Sequence, residues 1–337
     1  MVEIVAPPTD LPLWAVGAVN LASPRLGTEA VRCTDESFAP MARMLQDRPP
    51  VFKPDVYDDF GKWMDGWESK RRRDCGHDWC LLRLGVRGLI RGVDIDTAHF
   101  TGNYPPAASL WASNAEEQPG EAPENWTEIL PPTALGPSAH HFVELAQPGP
   151  WHWLRLNIYP DGGIARLRVY GTPVPDWDRL GDGPVELSAL RNGGRVVAWN
   201  DAHYGDVWAV LTEGRGRDMG DGWETRRRRK PGHDWLLVAL GAPGIVECVE
   251  VDTAHFKGNY PDRCSLQAAR VTWGTDTSLV TQAMFWPELM GERKLGPDAI
   301  HRFEGQDLAP LGPITHVKLN IHPDGGVSRF RVFGRRA

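Results

Sequence analysis

The sequence predicts an all-β protein: two tandem β-sandwich domains related by internal duplication, with the jelly roll the favoured version. Three observations carry this. The chain repeats itself with a unit of about 160 residues, too long for a solenoid and suited to one domain per copy. Its apolar residues alternate with period two, and convincing amphipathic helices are scarce.

The duplication is plain in three blocks. "DGWESKRRRDCGHDW" (Asp65–Trp79) returns as "DGWETRRRRKPGHDW" (Asp221–Trp235), with ten of the fourteen positions from Gly66 to Trp79 identical. "VDIDTAHFTGNYP" (Val93–Pro105) returns as "VEVDTAHFKGNYP" (Val249–Pro261) at the same offset of 156, with ten of thirteen identical. "LNIYPDGGIARLRVYG" (Leu156–Gly171) matches "LNIHPDGGVSRFRVFG" (Leu319–Gly334) at an offset of 163, because the second copy carries insertions. Upstream, "VNLAS" from Val19 aligns weakly with "VELSA" from Val185, and "PPVFKPDVYDDFGK" is an insertion of the first copy. The expected boundaries are residues 1–172 for the first copy, a proline-rich acidic linker at 173–184, and 185–337 for the second.

In "WLRLNIYPDGGIARLRVYG", Leu154, Leu156 and Ile158 alternate with Trp153, Arg155 and Asn157, and Leu167 and Val169 follow the turn residues Pro160 to Gly163. This predicts a hairpin with one apolar face. "WCLLRLGV" and "LIRGVDIDTAHF" read as two further strands, and "SFAPMARMLQ" is the best helix candidate.

With 37 Lys+Arg against 44 Asp+Glu, the net charge of -7 disfavours nucleic acid and anionic membranes, so neither is expected as a partner. A small anionic ligand suits the local basic runs better. The N-terminal stretch lacks the pattern of a signal peptide and no run is long enough to span a membrane, so a cytoplasmic protein is expected. Five cysteines in no metal-binding spacing, none matched in the other copy, are expected as free thiols.

The basic cluster poses the functional question. Were Trp67 to Arg73 a plain strand, one face would carry arginines into the core at a cost of several kcal/mol each, unless they met carboxylates or a polar cavity. A solvated charged edge is the simplest reading, but it has no call for the Glu68, His77, Asp78 and tryptophans that recur as Glu224, His233, Asp234, Trp223 and Trp235. In the second block, a turn at Gly102-Asn103 is expected to gather Asp96, His99 and Asn103 around one mouth. An Asp-His pair there suits acid-base work or a divalent ion, and a histidine satisfied by a local hydrogen bond fits a single copy equally well. No three-ligand spacing supports a metal, and no cofactor requirement is visible.

"DGWETRRRR", "GHDW", "VDTAHFKGN" and "NLASPRLG" together resemble the allantoicase family over nearly the whole chain, duplication included. These are hydrolases of purine catabolism that split allantoate into ureidoglycolate and urea. The resemblance implies two tandem jelly rolls of galactose-binding-like type, and a substrate bearing one carboxylate and two ureido groups. An arginine fork suits the carboxylate. Arg71, Arg72, Arg227 and Arg228 are the candidates, with Trp67, Asn103, Trp223 and Asn259 completing the substrate-binding set. His77 or His99 is the expected acid-base residue, oriented by Asp78 or Asp96, while Glu68 shares that work or holds an arginine. In the second copy these are His233, His255, Asp234, Asp252 and Glu224. The copies differ at Asp74 (Lys230), Thr101 (Lys257), His140 (Ile300) and Tyr159 (His322). A homo-oligomer is expected from the arginine rows and abundant tryptophan. The alternative is a non-catalytic galactose-binding-like protein that binds carbohydrate or another small ligand on its tryptophans.

Overall fold

The computed structural model describes residues 3–7 and 9–337, and the chain divides into two units between Val174 and Pro175. Each unit is built on one strand of 19 residues, Asp78–Asp96 in the first and Asp234–Asp252 in the second. The sequence reading of "WCLLRLGV" and "LIRGVDIDTAHF" as two strands is corrected here, because the backbone continues through the glycines between them.

The long strand changes neighbours halfway. Residues 78–88 pair with Trp151–Tyr159, and residues 80–83 with Glu29–Cys33 on the other side. Residues 88–96 pair with Arg166–Pro173, and residues 92–94 with Phe142–Glu144. The strand thus belongs to both layers of the sandwich, and register shifts in its partners fall near Gly88 to Gly92, where it passes between them. Ala107–Ser113 and Thr127–Ala134 extend the first layer, and Val19–Asn20 extends the second. In the second unit the long strand likewise pairs with Ile314–His322, Arg195–Trp199, Arg329–Arg336 and Ile300–Glu304. The expected hairpin is therefore replaced by two strands that flank the long strand in different layers. The turn residues are right, but Pro160 to Gly163 carry the chain across the sandwich end.

Both layers face a shared apolar core. Cys80, Leu82, Leu110, Leu154, Leu156, Ile158, Val93 and Val169 are fully buried, and each Leu, Ile or Val contributes about 1.5–3 kcal/mol by leaving water. Under the sandwich end, Arg166 is buried and saturated: Nη2 meets Asp65 Oδ2 at 2.8 Å, and Nη1 donates to the carbonyls of Asp65 (2.9 Å) and Ala165 (2.6 Å). Arg329 and Asp221 repeat the arrangement.

Helix is sparse. "SFAPMARMLQ" gives only a short 3₁₀ turn, Met41–Leu45. Among the described residues the two α-helices are Trp177–Leu180, inside the expected linker, and Asp276–Gln282, started by a capping box of Thr275 and Ser278. No helix among the described residues is long and apolar enough to cross a membrane.

Candidate active site

One end of each sandwich gathers the three duplicated blocks. The strand Trp67–Glu68 stops after two residues, and residues 69–77 form a loop pinned by its backbone to the "PDGG" turn. Arg72 N–H donates to Asp161 Oδ2 (2.9 Å) and Ser69 N–H to the Gly162 carbonyl (3.1 Å). Gly163 N–H donates to the Asn103 carbonyl (2.7 Å), and Asn103 Nδ2 to Glu68 Oε1 (2.6 Å). The second copy repeats each bond with Arg228–Asp324, Thr225–Gly325, Gly326–Asn259 and Asn259–Glu224.

This geometry answers the question raised by the basic run. Arg71 and Arg227 are exposed, while Arg72 and Arg228 turn inward onto the buried carboxylates of Asp78 (2.6 Å) and Asp234 (2.5 Å). In the first copy Asp74 also grips Arg72 bidentately, with two bonds of 2.8 Å, and these carboxylates hold the guanidinium well above its usual range.

Trp67 and Trp223 are core residues. Both are fully buried, and each indole N–H donates to a backbone carbonyl, of Asp35 or of Asp201, at 2.8 Å. Glu68 is buried too; desolvation raises its carboxyl above the usual range against the opposing bond from Asn103.

The second block does not bring Asp96 and His99 together. Asp96 Oδ1 accepts the Ala98 N–H (2.7 Å) and caps the turn, while His99 Nε2 faces the Pro50 carbonyl (3.3 Å) with its ring stacked on Phe52. In the second copy Asp252 caps through Ala254 N–H (2.8 Å) and pairs with Arg215, and His255 Nε2 faces the Gly216 carbonyl (2.7 Å). Both histidines sit at φ 68, which places each ring over its neighbouring loop.

His77 and His233 belong to a different group, on the outer face of the first layer. His77 Nε2 lies 3.3 Å from Asn157 Oδ1, Asn157 Nδ2 donates to Ser109 Oγ (3.1 Å), and Ser109 meets the Tyr159 hydroxyl (2.9 Å). Tyr159 also packs against His77, ring centroids 4.8 Å apart. Because an amide oxygen only accepts, Nε2 carries the proton of the neutral ring and Nδ1 keeps its lone pair. Burial lowers the His77 pKa, and the charges of Arg155 and Arg72 add to this against the Asn157 bond. Arg155 lies over Trp79 (4.8 Å) and Trp111 (5.3 Å).

In the second copy His233 Nε2 lies 3.1 Å from Asn320 Oδ1, and His322 takes the place of Tyr159, 4.6 Å from His233. His322 Nε2 meets Ser265 Oγ at 3.1 Å. Lys318, in the place of Arg155, lies over Trp235 (5.5 Å). The residues Asn157, Ser109, Arg155 and their partners escape the sequence reading. A signal was present: Asn157 and Asn320 stand in the "LNI" that precedes "PDGG" in both copies, at outward positions of an alternating strand.

A cavity of about 100 Å³ lies elsewhere in the second unit, lined by Arg215, Glu250, Asp252, Ile300 and Arg331 among others. Its charged groups are consumed by Arg215–Asp252, Arg302–Glu250 and Arg331–Glu186, so it offers little to a substrate. Among the described residues no three His, Cys, Asp or Glu side chains are grouped to hold a metal ion.

Fold and site define a duplicated β-sandwich protein that offers an imidazole, an amide and cationic side chains at the loop end of each copy. The family model for the allantoicase repeat matches residues 19–174 and 185–337. The chain belongs to the allantoicase family. It is 59% identical to a probable allantoicase of Burkholderia pseudomallei over 97% of this chain and 98% of the relative, and 53% identical to one of Rhizobium meliloti over 97% and 96%. The crystal structure of allantoicase from Saccharomyces cerevisiae matches with a TM-score of 0.78 at 36% identity, over 94% of this chain and 93% of that one.

Proposed function

We infer that the protein hydrolyses allantoate to ureidoglycolate and urea, and that the reaction takes place at the loop end of the sandwich. Membership of the allantoicase family along the whole chain carries the reaction. The duplicated imidazole–amide network supports the place, since it commits Nε2 of His77 and of His233 to an amide oxygen and leaves Nδ1 for the reaction.

In the proposed mechanism the neutral imidazole of His77 or His233 accepts a proton from water at Nδ1. The water oxygen bonds to the central carbon of allantoate, the bond from that carbon to one ureido nitrogen breaks, and that nitrogen leaves as urea with the proton the imidazole returns. Asn157 or Asn320 fixes the tautomer. Asp234 holds Arg228 for the substrate carboxylate with the exposed Arg227 beside it, while in the first copy Asp78 and Asp74 hold Arg72 beside the exposed Arg71. Glu68–Asn103 and Glu224–Asn259 brace the loops, as Asp96, His99, Asp252 and His255 brace the turn behind them. Trp67 and Trp223, buried under the site, are not placed to stack on a sugar, and the carbohydrate-binding alternative is not favoured.

The five free cysteines fit a reducing, cytoplasmic setting, which is part of the proposal. So is a homo-oligomer, supported by the exposed Trp273, Met284 and Phe285 of the second unit. The test is urea release from allantoate by the purified protein, with and without chelator, alongside its mass in solution by light scattering. Failure to release urea would overturn the assignment.

A further inference from the structure

The two copies of the site are not equivalent, and we propose that hydrolysis is carried by the second, with His322 joining His233 as an acid-base pair and Arg228 and Lys318 receiving the substrate carboxylate. This rests on the allantoate reading above.

The first argument is the state of the two arginines. In the first copy Nε and Nη2 of Arg72 are spent on Asp74 and Nη1 on Asp78. In the second copy Lys230 stands where Asp74 was, so Arg228 has only Asp234, which takes both Nε (3.0 Å) and Nη2 (2.5 Å) through a single oxygen. Its Nη1 points past Gly232, which has no side chain to cover it. Two carboxylates have closed one fork, and the other keeps an edge for an incoming anion.

The second argument is Lys318. It is 8% exposed, and no carboxylate among the described residues pairs with it. Desolvation lowers its pKa, and only the indole of Trp235 offsets the burial of its ammonium. An ammonium in that state gains most from an anionic ligand, and Arg228 and Lys230 of the basic loop add positive charge against Asp234 and Asp324, which hold Arg228 by its guanidinium and its backbone N–H. In the first copy Arg155 donates to the Glu121 carbonyl and is sandwiched by Trp79 and Trp111.

The third argument is the imidazole pair. The reaction needs a base for water and an acid for the departing nitrogen. His233 and His322 each commit Nε2, to Asn320 and to Ser265, so Nδ1 is the nitrogen each has left for the reaction. At a centroid separation of 4.6 Å a proton on one ring disfavours one on the other, and burial followed by the charge of His233 lowers the pKa of His322, so the pair holds at most one proton. The neutral ring takes the proton of water as its oxygen bonds to carbon, and the imidazolium gives its proton to the ureido nitrogen as that C–N bond breaks. The pair ends with the proton count it began with. In the first copy the second partner is the phenol of Tyr159, a much poorer proton acceptor.

The experiment compares kcat and KM for urea release from allantoate among His322→Tyr, His233→Gln, His77→Gln and Lys318→Gln, with thermal melts on each. His322→Tyr installs the residue the first copy already accommodates, and His322→Gln stands in if that variant melts early. The expected result is a loss of about 10²-fold or more in kcat for His322→Tyr, in the range typical of a lost acid-base group. Lys318→Gln should raise KM at least tenfold, and His233→Gln should lose at least tenfold more turnover than His77→Gln. Equal losses for the two, or a greater loss for His77→Gln, would overturn the second-copy assignment and leave the loop-end site standing. Unchanged turnover in all four would instead remove the loop-end site itself, while absence of urea from the wild type would remove the allantoate reading.

Discussion

The Asp65 carboxylate and the Arg166 guanidinium meet at 2.8 Å with both side chains out of reach of solvent. Asp65 opens the "DGW" block and Arg166 lies in the last strand of the unit, so this pair ties the motif loop to the sandwich. Removing one partner leaves the other charge buried, which costs about 3–5 kcal/mol. Asp65→Ala, and Asp221→Ala opposite Arg329, should each lower stability by that amount in chemical denaturation. A loss below about 1 kcal/mol would mean that the backbone carbonyls alone satisfy the arginine.

A second prediction concerns the glycines of the "PDGG" turns. A Cβ at Gly163 would stand 1.9 Å from Phe100 Cε1, and one at Gly326 2.0 Å from Phe256 Cδ1. Both phenylalanines are fully buried and cannot move aside. Gly163→Ala and Gly326→Ala should cost at least the 1–3 kcal/mol typical of overpacking, read as a lower melting temperature. Gly102→Ala and Gly258→Ala, where nothing lies within 4 Å, should be tolerated.

These pairings explain what could be read from the chain beforehand. Period two and duplication sufficed for two all-β units, because alternation is a local property of each strand. The Trp151–Tyr159 and Arg166–Pro173 segments were both legible, but their pairing was not: whether a turn joins two neighbours or crosses between layers depends on the long strand 60 or more residues upstream. The same limit applies to the site. His77 was visible as a motif residue, whereas its partner Asn157 lies 80 positions away and becomes its neighbour only through the register that sets Asn157 opposite Trp79. Trp67 looked like a ligand platform because sequence does not distinguish a buried indole from an exposed one.

The cysteines give a chemical test of burial. Cys75 is exposed in the basic loop, while Cys80, Cys248 and Cys264 are buried. Desolvation pushes the Cys33 thiol up to about 11 and that of Cys264 up to about 12, and raises those of Cys80 and Cys248 as well. Since the thiolate is the reactive form, a thiol reagent near neutral pH should modify one cysteine per chain quickly and the rest on unfolding. Cys75→Ser should abolish the fast phase; two fast thiols in the wild type would contradict this burial.

His140 supplies a pH-dependent contribution that the second copy lacks. Its Nδ1 lies 2.8 Å from the buried Asp94 Oδ2, its ring stacks on Phe142, and Asp96 and Arg168 lie around the same carboxylate. The bond to Asp94 is the main cause of a pKa above the ordinary 6.5, the charge of Asp96 acts the same way, and burial and Arg168 oppose it. A histidine whose folded pKa is raised stabilises fully below its unfolded pKa, and loses that stabilisation as pH rises through the folded one. The contribution is therefore complete below pH 6.5 and fades above it. His140→Ile, which installs the residue found at Ile300, removes the term. The stability gap between wild type and variant should be widest near pH 5.5–6 and should shrink toward pH 8.5, when melts are compared across that range. The His140 ring protons should titrate by NMR with a midpoint above 6.5. A gap that widened with pH would show instead that the folded imidazole is held neutral.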